Sequence, residues 1–445
     1  MIKKLICLTL VLLLSIGLCA CGNNGLKIYA SDGSLIATIS DYTTGDYITQ
    51  DENLNAYIDI VYQEAVEVLS LQENLTVADA KKKLVSKGYS LHTNFDPSVY
   101  NAVKTAYLNQ GNENLDFGCA VTNNNGKLLA VYSGGAKGEN FATKPTPPYS
   151  ALKPLSAYAP AIDSKIALWS TLYLDSPVKK ITLSDNSMVD WPTNANGTYQ
   201  NQSVTLETAL KKSLNTTAVR CLMDYGVTRS INFLKDSFNF PISAEEQIVA
   251  QYGEEEVLGN LGMGFLRDGV SPVNMAGYYQ IFVRGGVYVE PKTISKITNS
   301  SNKTIYQPDY NKKTVIENST SVIMNKLLQG VVSPDGTGKD AACGEIEIGG
   351  KTGTGELGNW FVGFSPEYSC AVWHGTQSPQ NISTKIFADV INGIPNKMLS
   401  KFTVTPDVKL SAYCCKSGLL KSENCDDFKM GFFAVDSLEQ ICDLH

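Results

Sequence analysis

The sequence is poor in histidine, with three in 445 residues, and it contains no Gly-x-Ser-x-Gly elbow. Catalysis by serine, histidine and aspartate therefore has little support. Basic residues are thinly spread as well, because the formal net charge is −7 and lysines cluster only in short runs such as residues 81–83. This charge pattern argues against a nucleic-acid-binding surface.

The N-terminal apolar run is also short, and the residues after it indicate a targeting segment. It extends from Leu5 to Leu18 behind two lysines, which falls short of the roughly 20 residues that cross a bilayer comfortably. Residues 18–21 resemble the lipobox of bacterial lipoproteins, which implies cleavage before Cys21 and attachment of diacylglycerol to Cys21. An uncleaved signal anchor is the competing interpretation, and either one places the body of the protein outside the cytoplasmic membrane.

The eleven cysteines fall into three groups. The first three lie in or directly after the targeting segment. Four more lie in apolar or β-like contexts and are predicted to be small buried hydrophobic residues, namely Cys119, Cys221, Cys343 and Cys370. The last four cluster near His445, and we interpret them as structural, holding a disulfide or a zinc ion although their gaps match no compact zinc finger: Cys414, Cys415, Cys425 and Cys442.

The length predicts two or three domains, and the first of them reads as a small α/β unit. Two alternating segments around residues 32–33 predict a hairpin over residues 26–39. Apolar residues at helical spacing and capping residues predict three helices, over residues 53–71, 76–88 and 96–109. We interpret residues 22–114 as a linker and pedestal that holds the next domain away from the membrane.

A second domain begins with another hairpin. Residues 117–122 and 127–132 read as strands joined by an Asn-Gly turn, which predicts the start of an antiparallel sheet. Ser150 follows, and the apolar segment 151–168 predicts a buried helix with Ser150 at its N-terminus, where free amides favour negative charge. Lys153 is three residues further on, so its amine can lie against the serine hydroxyl.

Two more short motifs follow in order. Ser213-Leu214-Asn215 comes after a helical segment, and Lys351-Thr352-Gly353-Thr354 comes at the end of the strand-like segment 345–350. Ser-x-x-Lys, Ser-x-Asn and Lys-Thr-Gly form together the signature of penicillin-binding proteins and serine β-lactamases. Each motif alone is common, but the three in this order are specific.

The region from about Gly88 to the C-terminus thus resembles the transpeptidase domain of class A penicillin-binding proteins. The likeness extends to residues 190–219, 261–276 and 360–375, and to the cysteine-containing tail. It implies an α+β fold, an antiparallel sheet flanked by helices as in the serine β-lactamases, with the N-terminal α/β pedestal. The domains expected are a signal peptide or anchor, the pedestal, the transpeptidase domain and the tail, over residues 1–21, 22–114, 115–405 and 406–445.

Two departures from the family pattern stand out. Class A members usually carry a glycosyltransferase domain before the pedestal, and this chain has no room for one in that place. The residue before the nucleophile is commonly glycine, whereas here it is Tyr149. Tyr149 is therefore expected to alter the entry turn or to shape the rim of the pocket.

The resemblance implies a role for each motif residue in acyl transfer from a D-Ala-D-Ala peptide. Ser150 would be the nucleophile and Lys153 its base, with a pKa lowered by burial or by Lys351. Ser213 would relay the proton to the leaving D-alanine, and Asn215 would hold the substrate amide and orient Lys153. Backbone amides of Ser150 and Thr354 would form the oxyanion hole, and the substrate carboxylate would meet Lys351, Thr352 and Gly353.

The resemblance implies a membrane-attached D,D-transpeptidase that cross-links peptidoglycan, with β-lactams as covalent inhibitors and a separate glycosyltransferase as partner. It implies no metal and no organic cofactor. A D,D-carboxypeptidase, a non-catalytic penicillin-binding sensor and a β-lactamase are the alternatives. A β-lactamase would need a glutamate that deacylates the enzyme. Glu256 and Asn260 match the Glu-x-x-x-Asn pattern of such enzymes by letter, and we interpret this match as coincidence.

Overall fold

The computed structural model describes residues 25–49, 51–136, 138–378, 380–395, 399–437 and 440–444. The expected signal segment with its lipid site at Cys21, and also His445, lie outside these ranges. Within them, no helix has both the length and the apolar character needed to cross a membrane.

The described part of the chain contains both helices and strands, mostly in runs of one kind. Its helices are α1 Asn55–Glu73, α2 Val77–Ser86, α3 Pro97–Leu108, α4 Ala159–Asp163, α5 Leu206–Lys211, α6 Asn215–Tyr225, α7 Val227–Phe238, α8 Ser243–Tyr252, α9 Leu258–Met263, α10 Pro272–Tyr278, α11 Asn318–Val332 and α12 Ser383–Gly393. Its strands are β1 Leu26–Tyr29, β2 Leu35–Ile39, β3 Tyr47–Thr49, β4 Ser90–Thr93, β5 Phe117–Asn123, β6 Leu128–Gly134, β7 Leu172–Leu174, β8 Lys179–Thr182, β9 Met188–Trp191, β10 Ser203–Thr205, β11 Val287–Tyr288, β12 Ile294–Thr298, β13 Thr304–Tyr306, β14 Lys313–Thr314, β15 Gly349–Gly355, β16 Gly358–Phe364, β17 Tyr368–His374, β18 Val408–Cys414 and β19 Phe428–Ala434.

Two of the three N-terminal helices, α2 and α3, begin at the capping residues that the sequence predicts. The Thr76 side chain accepts a hydrogen bond from the Asp79 backbone N–H at the start of α2. The Asp96 side chain accepts from the backbone N–H groups of Ser98 and Val99, and α3 begins with Pro97. These bonds satisfy N–H groups that have no partner inside the helix, so local sequence alone fixes where both helices start.

The pedestal contains a six-stranded sheet with the order β13-β12-β4-β1-β2-β3. The predicted hairpin is confirmed, since β1 and β2 pair antiparallel, and β1 pairs with β4 in parallel. Strands β12 and β13 come from residues 294–306, far along the chain. The pedestal sheet is therefore completed by a later segment, while the boundary near residue 114 stays a prediction.

The second sheet is antiparallel throughout, with the order β15-β16-β17-β5-β6. The predicted β5–β6 hairpin is confirmed. The middle of the sheet is completely buried at Trp360, Phe361 and Phe117, and helices α3, α10, α11 and α12 pack against it. Strand β15 lies at one edge, which leaves the backbone on its outer side available for another partner. The predicted α+β fold class is confirmed.

The segment after Ser150 is less regular than the sequence predicts. Residues Tyr149–Ala151 form a 3-10 turn, Pro154–Tyr158 form a π-helical turn, and α4 then ends at Asp163. The prediction of one helix reaching Leu168 is therefore wrong. Two prolines within the segment, at 154 and 160, lack the N–H that a regular helical ladder needs, and Lys165 adopts a left-handed backbone with φ of 57°. Even so, most of the segment is buried, as predicted.

Candidate active site

The turn that carries Ser150 is held by backbone and side-chain hydrogen bonds. The Ala151 N–H donates to Pro148 O at 3.1 Å, and the Leu152 N–H donates to Tyr149 O at 2.9 Å. The buried Tyr279 hydroxyl donates to Ala151 O at 2.5 Å. Ser150 itself is partly exposed, so a fixed backbone presents its hydroxyl at the surface of the core.

Lys153 follows this turn and is completely buried. Its Nζ donates to Ser213 O at 2.9 Å and to Asn215 Oδ1 at 2.6 Å, so the first and second motifs meet at this amine. Burial, and secondly the charge of Lys351, hold the pKa of Lys153 well below its ordinary value. A lysine in this setting loses its proton readily and can act as a base.

The second motif lies at the junction of two helices. Ser213 follows the end of α5 with a left-handed φ of 57°, and Asn215 is the first residue of α6. Lys351 Nζ donates to Ser213 Oγ at 2.7 Å. The hydroxyl of Ser213 thus lies between the second and third motifs, while its carbonyl oxygen faces Lys153.

The third motif lies inside strand β15. The sequence predicts a strand over residues 345–350 with Lys351 directly after it, but the strand begins at Gly349 and continues to Gly355. Lys351 pairs with Val362 of β16, and its side chain is completely buried. This burial lowers the pKa of Lys351 to about 7.

Gly353 brings the strand against the serine turn. A Cβ at this position would lie 2.4 Å from Pro148 O and 3.3 Å from Ala151 N. Any side chain larger than hydrogen would push β15 away from Ser150. The glycine is therefore what allows the first and third motifs to touch.

The two threonines of the third motif differ in exposure. Thr352 is buried, and its hydroxyl lies 3.0 Å from the Thr337 hydroxyl. Thr354 is exposed, and its Oγ1 accepts a hydrogen bond from Asn381 Nδ2 at 3.2 Å. Thr354 is therefore held by the segment that leads into α12.

A buried polar network supports the second motif, and the sequence analysis did not identify it. Asn194 Oδ1 accepts from the Asn215 N–H at 2.8 Å, while Asn194 Nδ2 donates to Asp175 Oδ1 at 2.7 Å. The same Asp175 oxygen accepts from the Thr216 hydroxyl at 2.6 Å, and Asn215 Nδ2 donates to Thr193 O at 2.7 Å. The network fixes the start of α6 and the amide that faces Lys153. Its only sequence signal was the stretch 190–199, which contains Thr193 and Asn194.

Tyr149 packs against the turn between β15 and β16, directly after the third motif. It is buried and has a left-handed φ of 49°, and its Oη accepts a hydrogen bond from the Leu357 N–H at 3.0 Å. A Cβ on Gly355 would lie 2.1 Å from its ring. Tyr149 therefore packs beneath the β15–β16 turn, besides shaping the turn that leads into Ser150.

The glutamate of the β-lactamase-like pattern lies on the surface. Glu256 is exposed in the 3-10 turn Glu254–Val257. Asn260 instead donates from Nδ2 to Glu245 Oε1 at 3.0 Å. The Glu-x-x-x-Asn match therefore gives no structural support to a deacylating glutamate.

The motif residues form one continuous site at the edge of the antiparallel sheet. Hydrogen bonds join Lys153, Ser213, Asn215 and Lys351, and close backbone packing brings Ser150 against β15. A serine turn packed against β15, with two buried lysines of lowered pKa linked through Ser213, suits nucleophilic attack with a lysine base. The described residues also contain one cysteine group able to hold a metal, which lies in the tail rather than among the three motifs.

Comparison with known proteins agrees with this geometry. Residues 117–392, more than half of the chain, match the family model for the penicillin-binding protein transpeptidase domain. Penicillin-binding protein 1A of Clostridium botulinum is 32% identical over 270 residues, which are 57% of this chain and 31% of that protein. Penicillin-binding protein 4 of Bacillus subtilis is 27% identical over 363 residues, covering 76% of this chain and 55% of that protein.

The fold has a solved counterpart. The crystal structure of penicillin-binding protein 1A from Haemophilus influenzae superimposes with a TM-score of 0.68 at 15% identity, covering 94% of this chain and 99% of that one. At this identity the likeness concerns the fold. The chain spans about a third of the length of the clostridial relative.

Proposed function

The chain belongs to the family of penicillin-binding protein transpeptidase domains, and on that premise we propose that it is a serine D,D-transpeptidase. It would form an acyl-enzyme between Ser150 and a D-Ala-D-Ala stem peptide of peptidoglycan, and then transfer the peptide to an acceptor amine. The observation that carries the proposal is the hydrogen-bonded group of Lys153, Ser213, Asn215 and Lys351 near the Ser150 turn, in which both lysines are completely buried.

Acylation begins with Lys153 as the base. Because its pKa is lowered, the neutral amine takes the hydroxyl proton of Ser150 while Oγ attacks the carbonyl carbon of the penultimate D-alanine. The Oγ–C bond forms and the C–N bond to the last D-alanine breaks. The Ser213 hydroxyl, which contacts Lys351, relays a proton to the departing amine.

Strand β15 would hold the substrate. Its position at the edge of the sheet suits an extended peptide that adds as a further strand. The backbone amides of Ser150 and Thr354 would stabilise the oxyanion, a contribution of about 10² to 10³ in rate for each donor. Lys351 in its protonated form and the Thr352 hydroxyl would receive the terminal carboxylate of the peptide.

The proposed nucleophile is tested by reaction with a penicillin. We expect intact-protein mass spectrometry to find one stable adduct per chain, and peptide mapping to place it on Ser150. Ser150→Ala should give no adduct. Ser187→Ala is the matched control, since it changes an exposed serine in the turn between β8 and β9, and it should be acylated like the unchanged protein. An adduct on any other residue would overturn the assignment.

A chromogenic cephalosporin separates transfer from hydrolysis of the β-lactam. The exposed position of Glu256 leads us to expect slow turnover, so that roughly one equivalent reacts and the signal then stops. Sustained rapid turnover would support a β-lactamase instead. Glu256→Gln would then have to abolish that turnover.

The proposal extends to the place of action. We propose that diacylglycerol on Cys21 holds the protein at the outer face of the cytoplasmic membrane, where peptidoglycan is assembled and where a separate glycosyltransferase would supply glycan strands. Labelled palmitate should be incorporated into the unchanged chain and not into Cys21→Ala. Equal labelling of both would contradict lipidation at Cys21 and favour an uncleaved anchor or another lipid site.

A further inference from the structure

Three cysteines of the tail meet at one point, outside the catalytic site. Cys414 ends strand β18, Cys425 lies in the connection to β19, and Cys442 follows β19. Their sulfur atoms all lie within 4.8 Å of one another. The three residues are at most 3% exposed and form a small cluster, with Leu419, apart from the main core.

Backbone hydrogen bonds position this cluster without any help from the sulfurs. The Gly418 N–H donates to Cys414 O, and the Cys414 N–H donates to Leu419 O, both at 2.8 Å. The Cys442 N–H donates to Leu420 O at 2.8 Å. These bonds fold the chain tightly after Cys414 and tie the last described segment to that turn, so the sulfurs converge on a preformed frame.

Two of the sulfurs are surrounded by hydrogen-bond donors. The Ser422 backbone N–H donates to Cys425 Sγ at 3.4 Å, and the Ser422 hydroxyl lies 3.2 Å from the same sulfur. The Ser417 hydroxyl and the Leu444 backbone hydrogen-bond the Cys442 thiol. Hydrogen bonds from surrounding groups to the ligand atoms are typical of metal sites.

The geometry suits a shared ion better than a single disulfide. A tetrahedral zinc ion with Zn–S bonds of about 2.3 Å separates its sulfurs by about 3.8 Å, which is inside the observed limit. A disulfide would need two sulfurs at about 2.05 Å and would leave the third buried thiol beside it, in position for exchange. One ion uses all three groups at once.

We propose that Cys414, Cys425 and Cys442 bind a structural zinc ion as thiolates. Structural zinc sites are four-coordinate, and three cysteines with one histidine are a common ligand set. In the sequence, His445 lies three positions after Cys442 and outside the described residues. Thiolate ligands select zinc over the hard cations magnesium and calcium.

The site would fasten the tail to the segment that leads to the second motif. The Ser170 hydroxyl donates to Gly418 O at 2.5 Å, and Trp169 packs edge-on against Phe432 of β19 with 5.4 Å between ring centroids. Trp169 O in turn accepts from the Glu207 N–H at the start of α5. Zinc in the tail would therefore stiffen the base of the helix that ends next to Ser213.

The test measures metal in the full chain, so it does not depend on the acyl-transfer proposal. After purification without oxygen and dialysis, elemental analysis should find about one zinc per chain. Replacement by cobalt should give the intense visible absorption of a tetrahedral thiolate site. Zinc-free protein with a disulfide between any two of the three cysteines, seen by thiol counting and peptide mapping, would overturn the proposal.

Variants locate the ligands. Cys425→Ser should lose the metal, whereas Cys415→Ser, the matched control, changes the neighbouring cysteine outside the sulfur cluster and should keep one zinc per chain. Loss of zinc in both variants to the same extent would contradict the assignment of the three sulfurs.

Discussion

Two completely buried lysines, 153 and 351, determine the charge of the site. Burial disfavours the ammonium form of both, and the charge of Lys351 lowers the pKa of Lys153 further. The proposed base must be neutral and the proposed carboxylate partner must be charged. Because the two lysines must have opposite protonation states, the dependence of the acylation rate on pH tests their roles directly.

The rate of acylation by a penicillin should depend on pH with a bell shape. The rate constant rises as pH increases through the lowered pKa of Lys153, because the base must lose its proton. It falls above about 7, where Lys351 in the free enzyme loses the charge that receives the ligand carboxylate. Stopped-flow measurement of the second-order rate constant across pH checks both limbs.

Lys351→Arg assigns the falling limb. Arginine keeps its proton throughout the accessible range, so the fall above neutral pH should disappear even if the maximum rate is lower. A falling limb that stays in place in this variant would mean that another group loses the proton.

The Asn194 side chain is predicted to position the second motif. Asn194→Ala removes the acceptor for the Asn215 N–H and leaves Asp175 with one donor fewer, so acylation should slow by about tenfold, equivalent to about 1.4 kcal/mol. The rising limb of the pH profile should also shift, because Asn215 contacts Lys153. A purely structural role would leave that limb unchanged.

Asn196→Ala is the matched control for this prediction. Asn196 is exposed in the same loop, and its side chain accepts only a local bond from the Thr198 N–H among the contacts described. Its acylation rate should match that of the unchanged protein. An equal loss of acylation rate in both variants would indicate that the conformation of the loop, and not the Asn194 side chain, determines the rate.

Among single residues, the sequence predicts those with proposed chemical roles better than the polar residues that position them. Ser150, Lys153 and Lys351 belong to short motifs whose spacing is visible along the chain. Asp175 and Asn194 are polar residues in loops, and nothing local distinguishes them from exposed ones. Only the fold brings them beneath α6, so their burial could not be read from sequence.

Among the elements, the β15–β16 hairpin and the Ser150 turn depend on each other. The ring of Tyr149 fills the space beside Gly355, and its hydroxyl receives the Leu357 N–H. The β15–β16 hairpin therefore packs against Tyr149, the residue that precedes the nucleophile. This explains how a bulky residue with positive φ is tolerated where the family commonly has glycine.

Gly355→Ala should disturb that contact. Its Cβ would lie 2.1 Å from the Tyr149 ring, so the hairpin or the turn must shift, and acylation should fall by about tenfold or more while the fold persists. Gly330→Ala is the control, since nothing lies within 4 Å of a Cβ there. In the last turn of helix α11 that change should raise stability slightly, by about 0.5 kcal/mol, without altering acylation. Equal acylation by both variants would refute the proposed support.

His374 connects the end of β17 to the start of α12. Its Nδ1–H donates to Gly375 O at 2.7 Å and its Nε2 accepts from the Ile382 N–H at 3.2 Å, which requires the neutral ring. Burial lowers the pKa of His374 in the folded state. The adjacent Asn381 donates a hydrogen bond to Thr354 of the third motif. Protonation of the His374 ring would therefore disturb the segment that holds Thr354.

Stability should therefore fall as pH drops below the unfolded-state pKa of histidine. The unfolded chain binds a proton below about 6.5 while the folded chain resists it, so the free energy of unfolding decreases by up to about 1.4 kcal/mol per pH unit until the folded pKa is reached. His374→Gln, which keeps a donor and an acceptor, should lose less. Denaturant unfolding at several pH values checks this, and parallel curves for the two proteins would contradict it.

The elements show which local signals are reliable. Helices α2 and α3 begin where Thr76 and Asp96 predict, since a cap is a contact within a few residues. The segment after Ser150 breaks into short turns because prolines and tertiary contacts override its apolar composition. Likewise the third motif lies within β15 rather than after it, since glycine-rich strands carry weak β propensity and are fixed by their partners.

At the scale of the whole molecule, the two largest sheets of the described residues are connected through one helix. Helix α1 bridges them, since the Tyr57 hydroxyl donates to Leu128 O at 2.9 Å in β6 and the Glu64 carboxylate receives the Thr293 N–H at 2.8 Å. The transpeptidase sheet and its hairpin were predictable because their strands are neighbours in sequence. The entry of β12 and β13 into the pedestal sheet was not, because pairing across some 200 positions leaves no local pattern.

The central claim is that this chain transfers acyl groups through Ser150, and a pentapeptide muropeptide tests it most directly. Incubated with the purified protein, the muropeptide should release D-alanine and give cross-linked dimers, and Ser150→Ala should do neither. D-alanine without dimers would indicate a carboxypeptidase that uses water as acceptor. Absence of both products, in protein that a penicillin still acylates at Ser150, would contradict the claim and leave a penicillin-binding protein without transferase activity.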